Sequence, residues 1–249
     1  LRPRFWQILV LVLFMANFLG CNLWKTTKKV YKGYVFSTNI DLENEAELGN
    51  GQIRMARFFN PLDQELASLF RQIEVKDSQP TRDWAQKIKE DFEWIEGVNL
   101  VDKQGQIKAL IGQPSLPDKE TKQLLSQKYS WSQNVMQWLA WTEGSRSMMT
   151  FIRPFYKDMT WQGNILVCFN IRSLVQLSEK PQEIIIIQQG QTLWTGSYDQ
   201  EAQGLANLDW QAMLEKGVSG RALLAGEEFF WLARYLGEKP IFYLVEVKR

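Results

Sequence analysis

The 249-residue chain contains no histidine. That absence removes every nucleophile system that relies on an imidazole base, and every zinc site that needs imidazole ligands. Cysteine is nearly absent too, with only Cys21 and Cys168, too few for a thiolate zinc site. No glycine-rich phosphate loop with its lysine is present. Charge of one sign is also lacking. Twenty-nine basic residues face 28 acidic ones, for a formal charge of +1, so nothing points to nucleic acid. Paired carboxylates could still do acid–base work, but no spacing of Asp and Glu suggests such a pair. The expectation is a protein that is not an enzyme and that carries no cofactor and no metal.

What is present begins with the leader. Arg2 and Arg4 give a basic start, residues 8–16 form an apolar run, and Phe18-Leu19-Gly20-Cys21 closes the segment. A charged start, a short apolar stretch and a small residue at a cut site describe a secretory signal. The cysteine just after that cut resembles the lipobox of bacterial lipoproteins. The resemblance implies cleavage after residue 20 and lipidation of Cys21. It also implies an anchor in the bacterial cell envelope facing the periplasm, on either the inner or the outer membrane. An uncleaved membrane anchor is the alternative. It needs about 20 apolar residues, and Gln7 and Asn17 interrupt this run. Cys168 would then be the single remaining thiol, with no intramolecular disulfide. It lies in the apolar run 165–171 and reads as a small buried hydrophobe.

The apolar fraction of 45% and aromatic fraction of 13% are enough for a real core. Residues 21–57 read as a lipidated tether, with Lys25, Lys28, Lys29 and Lys32 near the anchor. These lysines could attract anionic headgroups. Asp41, Glu43, Glu45 and Glu47 alternate; they read as a solvated linker, or, if extended, as four acids on one face able to meet Ca²⁺. From Asn60-Pro61, a cap and first-turn proline, Leu62, Leu66, Leu69, Phe70 and Ile73 recur at helical spacing. Thr81 can cap a second helix bearing Trp84, Ile88, Phe92 and Ile95 on one stripe, with Gly97 ending it.

A pattern then occurs twice. A strand at 98–102 turns and returns at 106–111; a strand at 184–188 turns and returns at 191–196. Each hairpin precedes a polar helical stretch, at 118–128 and 209–215. Each helix precedes three strands: 135–142, 148–156 and 165–171 in the first copy, 218–224, 228–236 and 241–247 in the second. Turns are expected at Glu143-Gly144, near Gly163, at Ala225-Gly226 and at Gly237. The fold class is therefore α+β: a long N-terminal helical segment and two tandem domains, each a five-stranded antiparallel sheet with helices on one face.

This order resembles the double Cache (PDC, tandem PAS-like) sensor architecture. Arg153-Pro154-Phe155-Tyr156, then Gly163, residues 165–171 and Arg172-Ser173-Leu174 resemble the exit from that family's membrane-distal domain. Residues 220–231 resemble late strands of its proximal domain. The resemblance implies a distal domain within 58–180 and a proximal one within 181–249. It also implies a small-molecule ligand held between sheet and helical crossing, mostly in the distal domain. The arginine and Trp-Tyr pair that mark amino-acid-binding members are not visible. With the chain ending at Arg249, a free-standing sensor-type protein is expected.

Candidate ligand contacts follow. Strand side chains alternate, so Arg153 shares a face with Phe151 and Phe155, and Arg234 shares one with Phe230, Leu232 and Leu236. An arginine there either grips an anion in a cleft or lays its stem on the sheet and takes its head elsewhere. Trp131, Trp138, Trp141 and Trp161 crowd the first meander as pocket wall or as core. Trp138 and Trp141 differ in parity and cannot both face one cleft. Arg146, just before the second meander strand, and Tyr156 and Asp158 at its exit complete the set. Asp102 and Asp199 read as turn formers. The expected function is a lipid-anchored sensor-type protein binding a small molecule, an anion among the candidates, in the distal domain. The alternative is a structural or assembly lipoprotein of the envelope acting by protein–protein contact.

Overall fold

The long amphipathic helix organises everything else. In the computed structural model, which describes residues 49–74, 80–112, 116, 136–158, 160–188, 190–237 and 239–247, helix α1 runs over Asn50–Glu74. Its residues Met55, Phe58, Phe59, Leu62, Leu66, Leu69 and Ile73 are all buried, as the three-and-four spacing requires. The helix starts eleven residues before Pro61, which sits inside it instead of opening it. A proline there removes one backbone hydrogen bond and crowds the preceding turn. Buried side chains on both sides of Pro61 hold the helix through it. Burying each such Leu or Phe contributes about 1.5–3 kcal/mol.

Helix α2 spans Arg82–Asp91, and the Thr81 side chain accepts from the Trp84 amide at 3.3 Å. It ends at Phe92, before Gly97. Ile95 and Gly97 already belong to strand β1 (Ile95–Asp102). Strands β2 (Ile107–Ile111), β3 (Gln137–Glu143), β4 (Arg146–Lys157) and β5 (Thr160–Asn170) complete a first sheet, in the order β2-β1-β5-β4-β3. After the short helix α3 (Ile171–Val175) come β6 (Ile184–Gln188), β7 (Gln191–Trp194), α4 (Asp199–Ala206), α5 (Trp210–Lys216), β8 (Ser219–Leu224), β9 (Glu227–Leu236) and β10 (Lys239–Glu246). The second sheet repeats the first order, β7-β6-β10-β9-β8. Neighbouring strands in both sheets pair antiparallel. These are two tandem PAS-like units.

Two local expectations are revised. Gly163 lies within β5 rather than in a turn, opposite Phe155 and Asp102. Its φ is +150°, and a Cβ would stand 2.2 Å from the Val101 carbonyl oxygen, so glycine is required. Asp199 is the first residue of α4, not a turn former. Asp102 does form a turn: its Oδ1 accepts from the amides of Gln104 at 2.9 Å and Gln106 at 2.8 Å. Cys21, the acids at 41–47, the expected helix at 118–128 and Trp131 lie outside the described residues. Among the described residues no helix is long and apolar enough to cross a membrane.

Helix α1 lies against one face of both sheets, and a single apolar cluster joins all three. Phe59 stacks on Tyr243 of β10 at 4.1 Å. Near the other end of the helix, Phe70 meets Phe151 of β4 edge-on at 4.8 Å. Three arginines fasten it. Arg54 pairs with Glu183 and donates to the Glu246 carbonyl. Arg234 of β9 pairs with Asp63. Arg153 of β4 donates to the Ile73 carbonyl in the last helical turn, where no intrahelical donor remains. Burial pushes the Asp63 carboxyl above its ordinary value, against the opposing pull of Arg234 and of the Tyr243 hydroxyl bonded to it. Tyr243 is itself pushed well above the usual phenol range, chiefly by burial. The two sheets also meet directly. Gly237, in the turn after β9, has a φ of +70°, and a Cβ there would stand 2.0 Å from the Met136 carbonyl oxygen.

Candidate functional site

Each sheet has a second face, turned away from α1. On the second sheet that face is closed by α4 and α5. Ile185, Ile187, Ala202, Leu205, Trp210, Phe229, Trp231, Phe242 and Leu244 form one buried apolar cluster there. Trp210 stacks on Phe242 at 4.2 Å, and its Nε1 donates to the Leu205 carbonyl at 2.9 Å.

The corresponding face of the first sheet is built differently. Val101, Trp141, Met148, Leu166 and Cys168 form its apolar part, with Leu116 and Ile107 packed on them. Ile152, Leu139 and Trp161 lie beside it. Among these stand Asn99, Thr150 and Asn164, all buried. Arg153 opposite Ile165 and Arg234 opposite Ile241 occupy equivalent places in the two ladders. Counting from them, Thr150 takes the place of Trp231, Cys168 of Leu244, Asn99 of Ile187 and Asn164 of Pro240. Three bulky apolar side chains give way to a hydroxyl, a thiol and a carboxamide. Trp141 runs the other way, replacing Ala222.

These polar groups are only partly satisfied. Thr150 Oγ1 lies 3.1 Å from Cys168 Sγ, and Asn99 Nδ2 lies 3.7 Å from the same sulfur. Trp161 Nε1 donates to Asn164 Oδ1 at 3.4 Å. Asn99 Oδ1, Asn164 Nδ2 and Trp141 Nε1 have no hydrogen-bond partner among the described residues. Buried polar groups are normally paired, and an unpaired one costs about 1–3 kcal/mol. Among the described residues three such atoms gather on this face, against one, Trp231 Nε1, on the corresponding face of the second sheet.

The sequence-derived candidates divide between the two faces. Trp141 lies on the polar face, and Arg146 at its margin is exposed and paired with Glu96. Arg153 and Trp138 lie on the opposite face, within the cluster around α1 or at its edge. Arg153 therefore takes its head to the helix carbonyl, and Trp138 Nε1 donates to the Lys239 carbonyl at 3.2 Å in the second unit. Tyr156 is half-buried opposite Trp161, past an irregularity at Gln162 in β5, and burial pushes its hydroxyl up. Asp158 is exposed in the turn that follows, at φ +49°. Asn99, Thr150 and Asn164 escaped sequence reasoning. Their signal was a polar residue inside apolar strands, visible in Val98-Asn99-Leu100 and Met149-Thr150-Phe151. Among the described residues no group of three or more metal-ligating side chains is gathered.

No protein-family model matches the chain, and no curated protein matches it in sequence. Among solved structures, the chain is similar in fold to an extracellular ligand-binding receptor and to the sensor domains of chemoreceptors. One is the ligand-binding domain of the Pseudomonas fluorescens chemoreceptor CtaA in complex with L-leucine. It has a TM-score of 0.52 and 10% identity, with 84% of this chain and 94% of that one covered. Another is an extracellular ligand-binding receptor from Desulfohalobium retbaense, with a TM-score of 0.51, 13% identity, and 80% of this chain but 39% of that one covered. A third is the sensory domain of the Campylobacter jejuni chemoreceptor Tlp3 with isoleucine bound. Its TM-score is 0.50 and its identity 13%, with 82% and 91% of the two chains covered. At these identities the likeness is one of fold.

Proposed function

We propose that this chain is a lipid-anchored, extracytoplasmic sensor-type protein that binds a small molecule in its first, membrane-distal unit. One observation carries this reading. The two units share a fold, yet the face packed solid by Ile187, Trp231 and Leu244 in the second bears Asn99, Thr150 and Cys168 in the first. Small-ligand sites are largely apolar with a few placed polar groups, and this face has that composition. Trp141, Arg146, Tyr156 and Asp158 are the remaining candidate contacts. Arg153 and Trp138 act from behind the sheet, by fixing β4 to α1 and β3 to the second unit. Solved relatives of the same fold that hold L-leucine or isoleucine lend the reading support. Cys21 supplies the anchor.

Thermal shifts of the purified protein against amino acids, carboxylates and amines test the binding. A shift well above about 1 °C is expected. It should vanish in Thr150→Trp or Cys168→Leu, which copy the second unit. No shift with any compound, or shifts untouched by both variants, would remove the reading. Cys21→Ser should move the protein from the membrane to the soluble fraction; a variant that stays with the membrane refutes the anchor.

A further inference from the structure

We propose that the polar face of the first sheet takes an uncharged molecule carrying both a hydrogen-bond donor and an acceptor, of the carboxamide class. This rests on the ligand-binding function proposed above and deepens it. The argument starts from the orientation of two asparagines. An indole N–H can only donate, so Trp161 at 3.4 Å fixes the oxygen of Asn164 toward itself. The Asn164 amino group is thereby turned away, buried and without a partner among the described residues. Cys168 Sγ faces both Thr150 Oγ1 and Asn99 Nδ2, so the Asn99 oxygen is the atom left over. The face thus offers one bare acceptor and one bare amide donor, with the Trp141 N–H as a second donor.

The two amides are diagonal neighbours. Asn99 of β1 pairs with Leu166, and Asn164 lies two residues along the same β5 strand. Such diagonals are about 7–8 Å apart, a span that one small molecule bridges. An anion would satisfy the donors and leave the Asn99 oxygen facing negative charge. A cation would do the reverse. Either would lose its hydration on a buried face. Arg146 and Glu96, at the partly exposed margin, are paired with each other. A carboxamide presents its carbonyl to Asn164 and its N–H to Asn99 without transferring net charge, while Val101, Leu166 and Ile152 meet its apolar body.

Calorimetric titration of the purified full chain with matched pairs tests this: isobutyramide against isobutyrate, nicotinamide against nicotinate, and N-acetyl-L-leucinamide against L-leucine. The amide of each pair should bind at least about tenfold more tightly than its charged partner. Asn99→Leu and Asn164→Leu should each weaken amide binding by about tenfold. Both should melt close to the parent, because each removes an unsatisfied buried atom together with only one long hydrogen bond, 3.7 Å from Asn99 to Cys168 and 3.4 Å from Trp161 to Asn164. Equal or tighter binding of the charged members overturns the proposal. So does a clear fall in melting temperature in both variants, which would show those amides satisfied in the free protein. L-leucine binding without its neutral derivative sinks the carboxamide assignment and leaves the sensor reading standing. If no amide, amino acid, carboxylate or amine binds, both fall.

Discussion

The most consequential single contact outside the polar face is the one between Asp63 and Arg234. It sits between a helix and a sheet, next to the fully buried Tyr243. Removing one partner of a buried pair strands the other charge, so Arg234→Met should cost about 3–5 kcal/mol. Asp63→Leu combined with Arg234→Met should cost far less, because nothing charged is left behind. Urea titration of the single and double variants measures the difference. The raised Asp63 carboxyl also sets a pH dependence. In the unfolded chain it titrates near 3.8, and in the fold it holds its proton to higher pH. Its contribution is therefore fully present below that value and is lost as pH rises through the folded one. Relative to Asp63→Asn, the parent should lose stability as pH climbs from about 4 toward neutrality. A stability difference that is flat or grows with pH contradicts the assignment.

At the scale of elements, α1 is a helix that its own sequence partly opposes. Its apolar stripe continues unbroken through Pro61, from Met55 to Ile73. Local chemistry reads Asn60-Pro61 as a beginning, and tertiary packing makes it a middle. Pro61→Ala restores a backbone donor toward the Arg57 carbonyl and should raise stability by about 1–3 kcal/mol, read from the shift of a denaturant midpoint. The strands were easier to read. The central strand β5 lies between β1 and β4 and is buried from Gly163 to Phe169, and such strands show as continuous apolar runs. The hairpins and both meanders were legible from alternation and turn residues. The ends of α2 and β1 were not, because Ile95 fits a helical stripe and a buried strand equally well.

For the whole molecule, the joined apolar cluster has a consequence. Helix α1 supplies one side of the core to both sheets, so neither unit has a complete core without it. Thermal unfolding should therefore show one transition, with calorimetric and van't Hoff enthalpies equal, although the sequence reads as two domains. Two resolved transitions would show that the units fold independently. Near-ultraviolet circular dichroism can follow both at once, since Trp138 and Trp141 report on the first sheet and Trp210 and Trp231 on the second.

The sequence by itself determined the duplication, the succession of strands along each copy and the exclusion of imidazole chemistry. All of these depend on residue type and short-range spacing, which a linear chain displays. Only the tertiary structure decided which side of each strand faces the shared helix. That choice sends Arg153 to a helix carbonyl, puts Trp138 on the helix side and Trp141 on the other, and gathers Asn99, Thr150 and Asn164 from three strands onto one buried surface. Residues that lie 65 positions apart in sequence become neighbours only when β1 and β5 pair, and no local pattern records that pairing.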